Sequence, residues 1–148
     1  MYILKSEHSF DSAHFLSGYD GKCANIHGHR WKVYVEVQSE TLIRGGQLDG
    51  MVIDFGDLKN DVKAMVDSYD HALIIQEGSM RGVTLNCLNQ DGFKIIEVDF
   101  RPTAENFAAF FFKLMKDKGY HVNRTTVYET PTNSASYEGS EVHSSEIL

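Results

Sequence analysis

Two histidines separated by a single residue are the strongest chemical feature of this sequence. His27 and His29 flank a glycine, and the residues after them alternate between apolar and polar side chains as far as Val37. In an extended strand, side chains two residues apart point to the same face, so both imidazoles project together. On a helix, the same spacing would send them to opposite sides. The pattern therefore predicts a pair of metal ligands on one strand, because histidine is the commonest metal ligand in proteins.

A third histidine and a cysteine upstream extend this candidate metal site. With His14, the pair supplies three neutral nitrogen donors, which leaves one position of a tetrahedral Zn²⁺ open for water or substrate. Cys23 leaves an alternative, because its thiolate could fill that position and close a structural centre. We favour the open site, since structural zinc sites usually use more cysteines, often in closely spaced pairs. Cys23 would then lie near a cation that favours its thiolate, and it could act as a general base.

The other cysteine and an aspartate–histidine pair allow plainer interpretations. Cys87 has no obvious ionisable partner and is predicted to be a small buried hydrophobic residue. Asp70 and His71 lie at the end of a predicted helix, where a histidine could simply interact with the helix dipole. Adjacent side chains seldom contact each other directly. Together with the thiol of Cys23, however, the pair could form a Cys-His-Asp proton relay that only the fold assembles.

Two glutamates differ in how well their local surroundings explain them. Glu105 lies in the first turn of a predicted helix, where a carboxylate interacts favourably with the helix dipole. Glu129 lies near the end of a predicted strand of β-branched residues and has no such local role. Its carboxylate could accept paired N–H donors from a guanidine-like heterocycle. Glu129 is therefore a candidate ligand for such a ring.

Hydrophobic periodicity predicts the elements that position these residues. Strands are predicted over residues 2–10, 27–38, 92–100 and 121–130, helices over about 54–69 and 103–119, and irregular structure over 78–92. This order predicts an α+β fold in which two helices cover one face of a four-stranded antiparallel sheet. The other face then needs a partner. Several copies of the chain could supply it by closing their sheets into a barrel.

Length, composition and charge indicate the class of protein. With 148 residues, 42% hydrophobic and 24% charged, the chain is predicted to form one domain, 1–148, with a mobile tail at 138–148. The 14 basic residues against 21 acidic ones argue against a nucleic-acid partner. The sequence shows neither a long apolar run nor a signal-peptide pattern, so we expect a cytoplasmic protein without a membrane partner.

Six ordered motifs together resemble the 6-pyruvoyl-tetrahydropterin synthase superfamily. They are SAHFL with His14, Cys23 followed by HGH, IDFGDLK, DHALI, PTAEN, and YET with Glu129. The resemblance runs from about residue 8 to residue 137. The short spacing from Cys23 to His27, and the segment ETPTNSASY, look like the 6-carboxy-tetrahydropterin synthases of queuosine biosynthesis. The pyruvoyl-forming enzymes typically have a longer insert between the cysteine and the histidines.

The resemblance implies a fold, a site and a reaction. The fold is the tunnelling (T-fold) architecture, in which a trimer-based homo-oligomer, up to a hexamer, closes its sheets into a barrel with interfacial active sites. The implied substrate is 7,8-dihydroneopterin triphosphate, converted to 6-carboxy-5,6,7,8-tetrahydropterin with release of acetaldehyde and triphosphate. The implied site residues are His14, His27 and His29 for Zn²⁺, Cys23, His71 and Asp70 for proton transfer, and Glu129 for the pterin. Glu105 is a further candidate for binding the substrate.

Three questions stay open at the level of sequence. A 6-pyruvoyl-forming enzyme would keep the same fold and eliminate triphosphate instead. A non-catalytic Cys-His₃ zinc module would use Cys23 as the fourth ligand. Lys22, Arg30 and Arg101 are candidate cations for the triphosphate, although surface solvation is the simpler role for each of them.

Overall fold

The structure, a computed structural model, describes residues 1–139. Within that range the strands are Tyr2–His14 (β1), His27–Ser39 (β2), Ala72–Gln76 (β3), Ile95–Val98 (β4), Val122–Thr130 (β5) and Asn133–Tyr137 (β6). The α-helices are Phe55–Asp67 (α1), Gly82–Gln90 (α2) and Ala104–Asp117 (α3), and a short 3₁₀ helix spans Lys22–Ala24. The predicted mobile tail, 138–148, lies outside the described residues from position 140 onward. No helix within residues 1–139 is long and apolar enough to span a membrane.

The strands form one mixed sheet in the order β4-β3-β1-β2-β5-β6. The pairs β1–β2, β2–β5 and β5–β6 are antiparallel, whereas β1–β3 and β3–β4 are parallel. The α+β class is confirmed. The prediction of four antiparallel strands and two helices is wrong in its counts, because the described chain has six strands and three α-helices. It is also wrong in treating the sheet as antiparallel throughout.

Each missed element lacks the signal on which the sequence prediction relied. β3 is a short segment of four apolar residues and a glutamine, without alternation. It forms a strand because it pairs with β1 and β4. β6 consists mainly of serine and asparagine, which have low strand propensity, and it is held by backbone pairing with β5. α2 buries no residue and so shows no apolar stripe, which explains why 78–92 was wrongly predicted to be irregular.

The alternation of β2 produces the core. Trp31, Val33 and Val35 are fully buried on one face of the strand, under α1 and α3. Each of these helices begins at a side-chain cap. Asp54 accepts a hydrogen bond from the Gly56 amide, and Thr103 accepts one from the Asn106 amide. The prediction that two helices cover one face of the sheet is therefore correct for α1 and α3.

The opposite face of the sheet is polar, and its groups interact across strands. Arg30 of β2 donates two hydrogen bonds to the carboxylate of Asp11 on β1, at 3.0 and 3.1 Å. Lys5 places its ammonium 5.2 Å from the ring centre of Tyr34, a cation–π contact. An ion pair and a cation–π contact of this kind are both compatible with water. We call this face the open face, and its covering by further copies of the chain stays a prediction.

Candidate active site

Strand pairing brings the three predicted histidine ligands together. β1 extends to His14, four residues beyond its predicted end, and this extension places His14 directly opposite His27 in the antiparallel ladder. His29 lies one alternation further along β2, opposite Ser12. One ring nitrogen from each histidine lies within 4.8 Å of the others. We call this group the histidine cluster. It lies on the helix-covered face, at the end of the sheet.

Two backbone carbonyls fix the orientation of two of these rings. The Nδ1 atom of His14 lies 2.7 Å from the Pro102 carbonyl oxygen, and that of His27 lies 2.7 Å from the Asn25 carbonyl oxygen. A carbonyl oxygen only accepts hydrogen bonds, so both Nδ1 atoms are donors. In neutral rings, each Nε2 atom then carries a lone pair, and the two Nε2 atoms are 3.1 Å apart. Two lone pairs that face each other at this distance favour a cation between them. Metal-binding histidines also commonly donate their other N–H to a carbonyl, as these two rings do.

Burial lowers the pKa of two of the three imidazoles. His14 is only 2% exposed, and burial lowers its pKa to about 4, with smaller contributions from the neighbouring histidines. Burial also lowers the pKa of His29, although the nearby Glu129 carboxylate opposes this change. The Nε2 atom of His29 is buried and has no hydrogen-bond partner among the described residues. Three ring nitrogens held close together, one of them buried and without a hydrogen-bond partner, fit a metal ion as their common partner.

Cys23 lies close to this group in sequence but outside the cluster. It belongs to the 3₁₀ helix between β1 and β2 and is partly buried. Its sulfur is not among the atoms that the described residues bring within metal-ligand distance of the three imidazoles. This placement favours the open three-nitrogen arrangement over a Cys-His₃ centre. Cys87, predicted to be buried, is instead exposed on α2, because that helix buries none of its side chains.

Asp70 and His71 contact each other directly, contrary to the expectation for adjacent residues. His71 has a left-handed backbone (φ 53°), and its Nδ1 atom lies 2.8 Å from the Asp70 carboxylate. Both residues are anchored to β1 at Asp11, which donates its amide to Asp70 at 2.8 Å and accepts the His71 amide at 2.7 Å. The hydrogen bond that the Asp11 backbone amide donates is the largest cause of the lowered pKa of Asp70. The aspartate is therefore ionised and orients the imidazole, as in a proton relay.

This Asp70–His71 dyad lies apart from the histidine cluster. The ring of His71 groups with the carboxylate of Asp11, whose side chain projects from the open face, since Ser12 and His14 alternate to the covered face. The His71 side chain is 78% exposed. Within one chain, Cys23 and the dyad therefore lie outside metal-ligand distance of the histidine cluster, although His71 and His29 line a common cavity.

Glu129 extends the site along β5. Its Oε1 atom lies 3.3 Å from His29 Nε2, although the two atoms lack hydrogen-bond geometry. Glu129 and His29 line a cavity of about 520 Å³ together with Tyr128. Cavities of this size hold small organic ligands. Glu105, the other predicted substrate ligand, is exposed in the first turn of α3, where its charge favours the helix dipole.

The sequence did not predict that the carbonyls of Pro102 and Asn25 orient the imidazoles of His14 and His27. Backbone groups carry no residue-type signal, so Asn25 and Pro102 could be found only from the fold. An indirect signal exists in the PTAEN motif. Its asparagine, Asn106, donates both a backbone and a side-chain hydrogen bond into the turn that presents the Pro102 carbonyl.

A family model described as 6-pyruvoyl tetrahydropterin synthase matches residues 3–140. A 6-carboxy-5,6,7,8-tetrahydropterin synthase of Haemophilus influenzae is 40% identical over 141 residues, which cover 93% of this chain and 99% of the relative. An enzyme of the same name from Rickettsia felis is 36% identical over 132 residues, covering 82% of this chain and 89% of the relative.

The solved structures agree with these sequence matches. The 6-pyruvoyl tetrahydropterin synthase of Caenorhabditis elegans superposes with a TM-score of 0.63 at 28% identity, covering 95% of this chain and 98% of that one. An uncharacterized protein of Wolinella succinogenes superposes with a TM-score of 0.77 at 21% identity, covering 94% and 98% of the two chains. The second likeness supports the fold alone.

Proposed function

Because this chain belongs to the 6-pyruvoyl tetrahydropterin synthase family, we propose that it converts 7,8-dihydroneopterin triphosphate to 6-carboxy-5,6,7,8-tetrahydropterin, releasing acetaldehyde and triphosphate. The chain is an enzyme of the lyase type, as the names of its relatives indicate. The observation that carries the proposed chemistry is the pair of facing Nε2 atoms of His14 and His27, 3.1 Å apart. We place the reaction in queuosine biosynthesis, in the cytoplasm.

The histidine cluster would hold Zn²⁺ through three neutral nitrogens, with one position left for the substrate. When bound, the ion supplies Lewis-acid polarisation of the hydroxyl and carbonyl oxygens of the substrate side chain. The carbonyls of Pro102 and Asn25 keep the rings of His14 and His27 in the required tautomer and orientation. Burial of His14 keeps the site free of a competing proton at neutral pH.

The remaining roles follow from the chemistry of each side chain. Cys23 would remove a carbon-bound proton as a thiolate. His71, oriented by Asp70, would donate or accept protons at the substrate side chain. Glu129 would accept the N–H groups of the aminopyrimidine ring, which holds the side chain of the pterin toward the histidine cluster. We keep Glu105 as a second, weaker candidate for the pterin.

We further propose that the working site forms between copies of the chain. The dyad is exposed and lies with Asp11, whose side chain is on the open face, whereas the histidine cluster lies on the covered face. The dyad of one copy would therefore serve the cluster of another. β4 and β6 form the edges of the described sheet, and their free backbone groups are suited to pairing with a further copy. A trimer-based ring, up to a hexamer, would close such edges into a barrel.

Product analysis tests the proposed reaction. Zinc-loaded protein is incubated with 7,8-dihydroneopterin triphosphate, and acetaldehyde and the pterin product are quantified together. We expect acetaldehyde to match the substrate consumed. Consumption of substrate with release of triphosphate, but without acetaldehyde, would instead show the 6-pyruvoyl-forming reaction.

A Cys23→Ala variant separates the enzyme from a structural zinc module. If Cys23 is the proton-transferring base, the variant retains its zinc and its folding stability and loses turnover. If Cys23 is the fourth metal ligand, zinc content and stability fall together. Metal analysis and thermal unfolding of the same preparation distinguish these two results.

A further inference from the structure

Arg101 makes two contacts with the loop that precedes Cys23. One of its guanidinium nitrogens donates a hydrogen bond of 2.9 Å to the Ser17 carbonyl oxygen. Its guanidinium carbon lies 5.7 Å from the ring centre of Tyr19, a cation–π contact. The Nε atom of Arg101 is buried and has no hydrogen-bond partner in the described part of the chain. The Arg101 guanidinium thus contacts one loop through two different interactions.

The backbone around Arg101 is itself held in place. Its carbonyl oxygen accepts hydrogen bonds from the Thr103 amide at 2.7 Å and from the Asn106 side chain at 3.0 Å. The next carbonyl, that of Pro102, accepts the hydrogen bond that orients His14. The same two-residue segment therefore fixes a histidine of the cluster through its backbone and the loop through its side chain.

The loop contacted by Arg101 leads directly to Cys23, and its internal contacts link Tyr19 to that residue. The Tyr19 ring packs so closely on Gly21 that a Cβ atom at residue 21 would lie 2.7 Å from the ring. The loop is closed by a hydrogen bond of 2.9 Å from the Leu16 amide to the Cys23 carbonyl oxygen. Movement of Tyr19 would thus displace the turn immediately before Cys23.

We propose that Arg101 is a positioning residue that sets the Cys23 thiol relative to the histidine cluster. The proposal rests on the base role assigned to Cys23 in the proposed function. It differs from the simpler possibility that Arg101 is a surface cation or a phosphate ligand, because the Arg101 guanidinium already contacts Ser17 and Tyr19. A displacement of about 1 Å at a reacting group can cost about 100-fold in rate. Loss of the Arg101 contacts should therefore lower kcat by about 10- to 100-fold.

The test follows Cys23 directly and needs no substrate. In a Cys87→Ser background, Cys23 is the remaining thiol, and its alkylation rate by iodoacetamide reports its exposure. We expect Arg101→Met to raise this rate several-fold, to increase amide exchange in residues 16–24, and to leave the zinc content unchanged. Tyr19→Ala removes the ring that contacts the Arg101 guanidinium and should have the same effects. Arg44→Met, in an exposed loop at the far end of β2, is the matched control.

The activities of the same variants complete the test. Arg101→Met should lower kcat more than it raises KM, and Arg101→Lys, which keeps the cation, should recover part of kcat. Combining Arg101→Met with Tyr19→Ala should cost little more than Arg101→Met alone, because both changes remove the Arg101–Tyr19 contact. A loss of activity with unchanged alkylation and exchange would overturn the proposal and indicate direct contact with substrate. Failure of the unsubstituted protein to consume the pterin would overturn the proposed function alone, since alkylation and exchange still test the role of Arg101.

Discussion

The two faces of the β1–β2 pair differ sharply at the same end of the sheet. On the covered face, the histidine cluster is packed under helices, and its rings are oriented by backbone carbonyls. On the open face, Asp11 and Arg30 form an exposed ion pair, and the His71 side chain beside them is 78% exposed. Residues adjacent in sequence thus belong to different environments, because side chains alternate along a strand.

This contrast separates two requirements of the chemistry. A metal centre needs neutral donors in fixed orientations, and burial with carbonyl partners provides both. A proton-transferring group must reach substrate and exchange with solvent, so exposure suits the dyad. The difference suggests that each chain supplies two half-sites, one on each face.

Removal of one histidine should abolish metal binding. We expect His27→Ala to lower zinc affinity by more than about 100-fold, since loss of an outer partner alone costs up to that amount. Turnover should fall with the metal content. The measurement is zinc stoichiometry after dialysis. His121→Ala, an exposed histidine at the other end of the sheet, is the control and should keep its zinc. Full zinc retention by His27→Ala would contradict the metal centre.

Removal of the exposed imidazole should affect turnover without affecting metal. His71→Ala should lower kcat by about 100-fold, at the lower end of the range for general acid–base catalysis. Its zinc content should equal that of the unsubstituted protein, because the dyad lies apart from the cluster. Steady-state kinetics and metal analysis on one preparation check both statements. Loss of zinc in His71→Ala would show that the two faces are not independent.

Glu129 should affect substrate binding more than the chemical step. Glu129→Gln removes the charge that strengthens hydrogen bonds to the pterin ring, and we expect KM to rise about tenfold. The zinc content should not change, although Glu129 lies 3.3 Å from His29 Nε2. Glu97→Gln, on the exposed side of β4, is the control. A fall in kcat at unchanged KM would assign Glu129 to proton transfer instead.

The ion pair on the open face should contribute least. The hydrogen bond from Arg30 is the largest cause of the lowered pKa of Asp11. A carboxyl whose pKa is depressed on folding stabilises the protein above its unfolded pKa, and this stabilisation is lost as the pH falls through the folded value. Arg30→Met should therefore be slightly less stable than the unsubstituted protein at neutral pH, and the two should converge near pH 2. Urea unfolding at both pH values measures this, and a gap that widens in acid would contradict it.

The sequence predicted the elements with strong periodicity and the residues that they carry. The alternation from His27 to Val37 predicted both the buried face of β2 and the shared face of His27 and His29. The spacing in α1 and α3 predicted two covering helices correctly. Metal binding by the histidine cluster stays a prediction, although the structure brings the ring nitrogens together.

The parts that the sequence did not predict depend on pairing between distant segments. Whether His71 lies on the covered or the open face depends on the register of β3 with β1, in which Ala72 lies opposite Ser12. No local pattern contains that register. The Asp70–His71 contact depends on the left-handed backbone of His71, which is uncommon outside glycine. Short elements such as β6 form because a neighbouring strand is present, so their own residues predict them poorly.

Complementation between two impaired variants tests whether a histidine cluster and a dyad from different copies form one site. His27→Ala lacks a complete histidine cluster, and His71→Ala lacks a complete dyad. Each should retain only a small part of the activity alone, and the two are mixed by co-expression with different tags. If sites form between copies in a closed ring, random mixing should restore about a quarter of the sites, because both half-sites must be intact. No recovery in mixed oligomers of confirmed composition would show that cluster and dyad act within one chain, and would contradict the account.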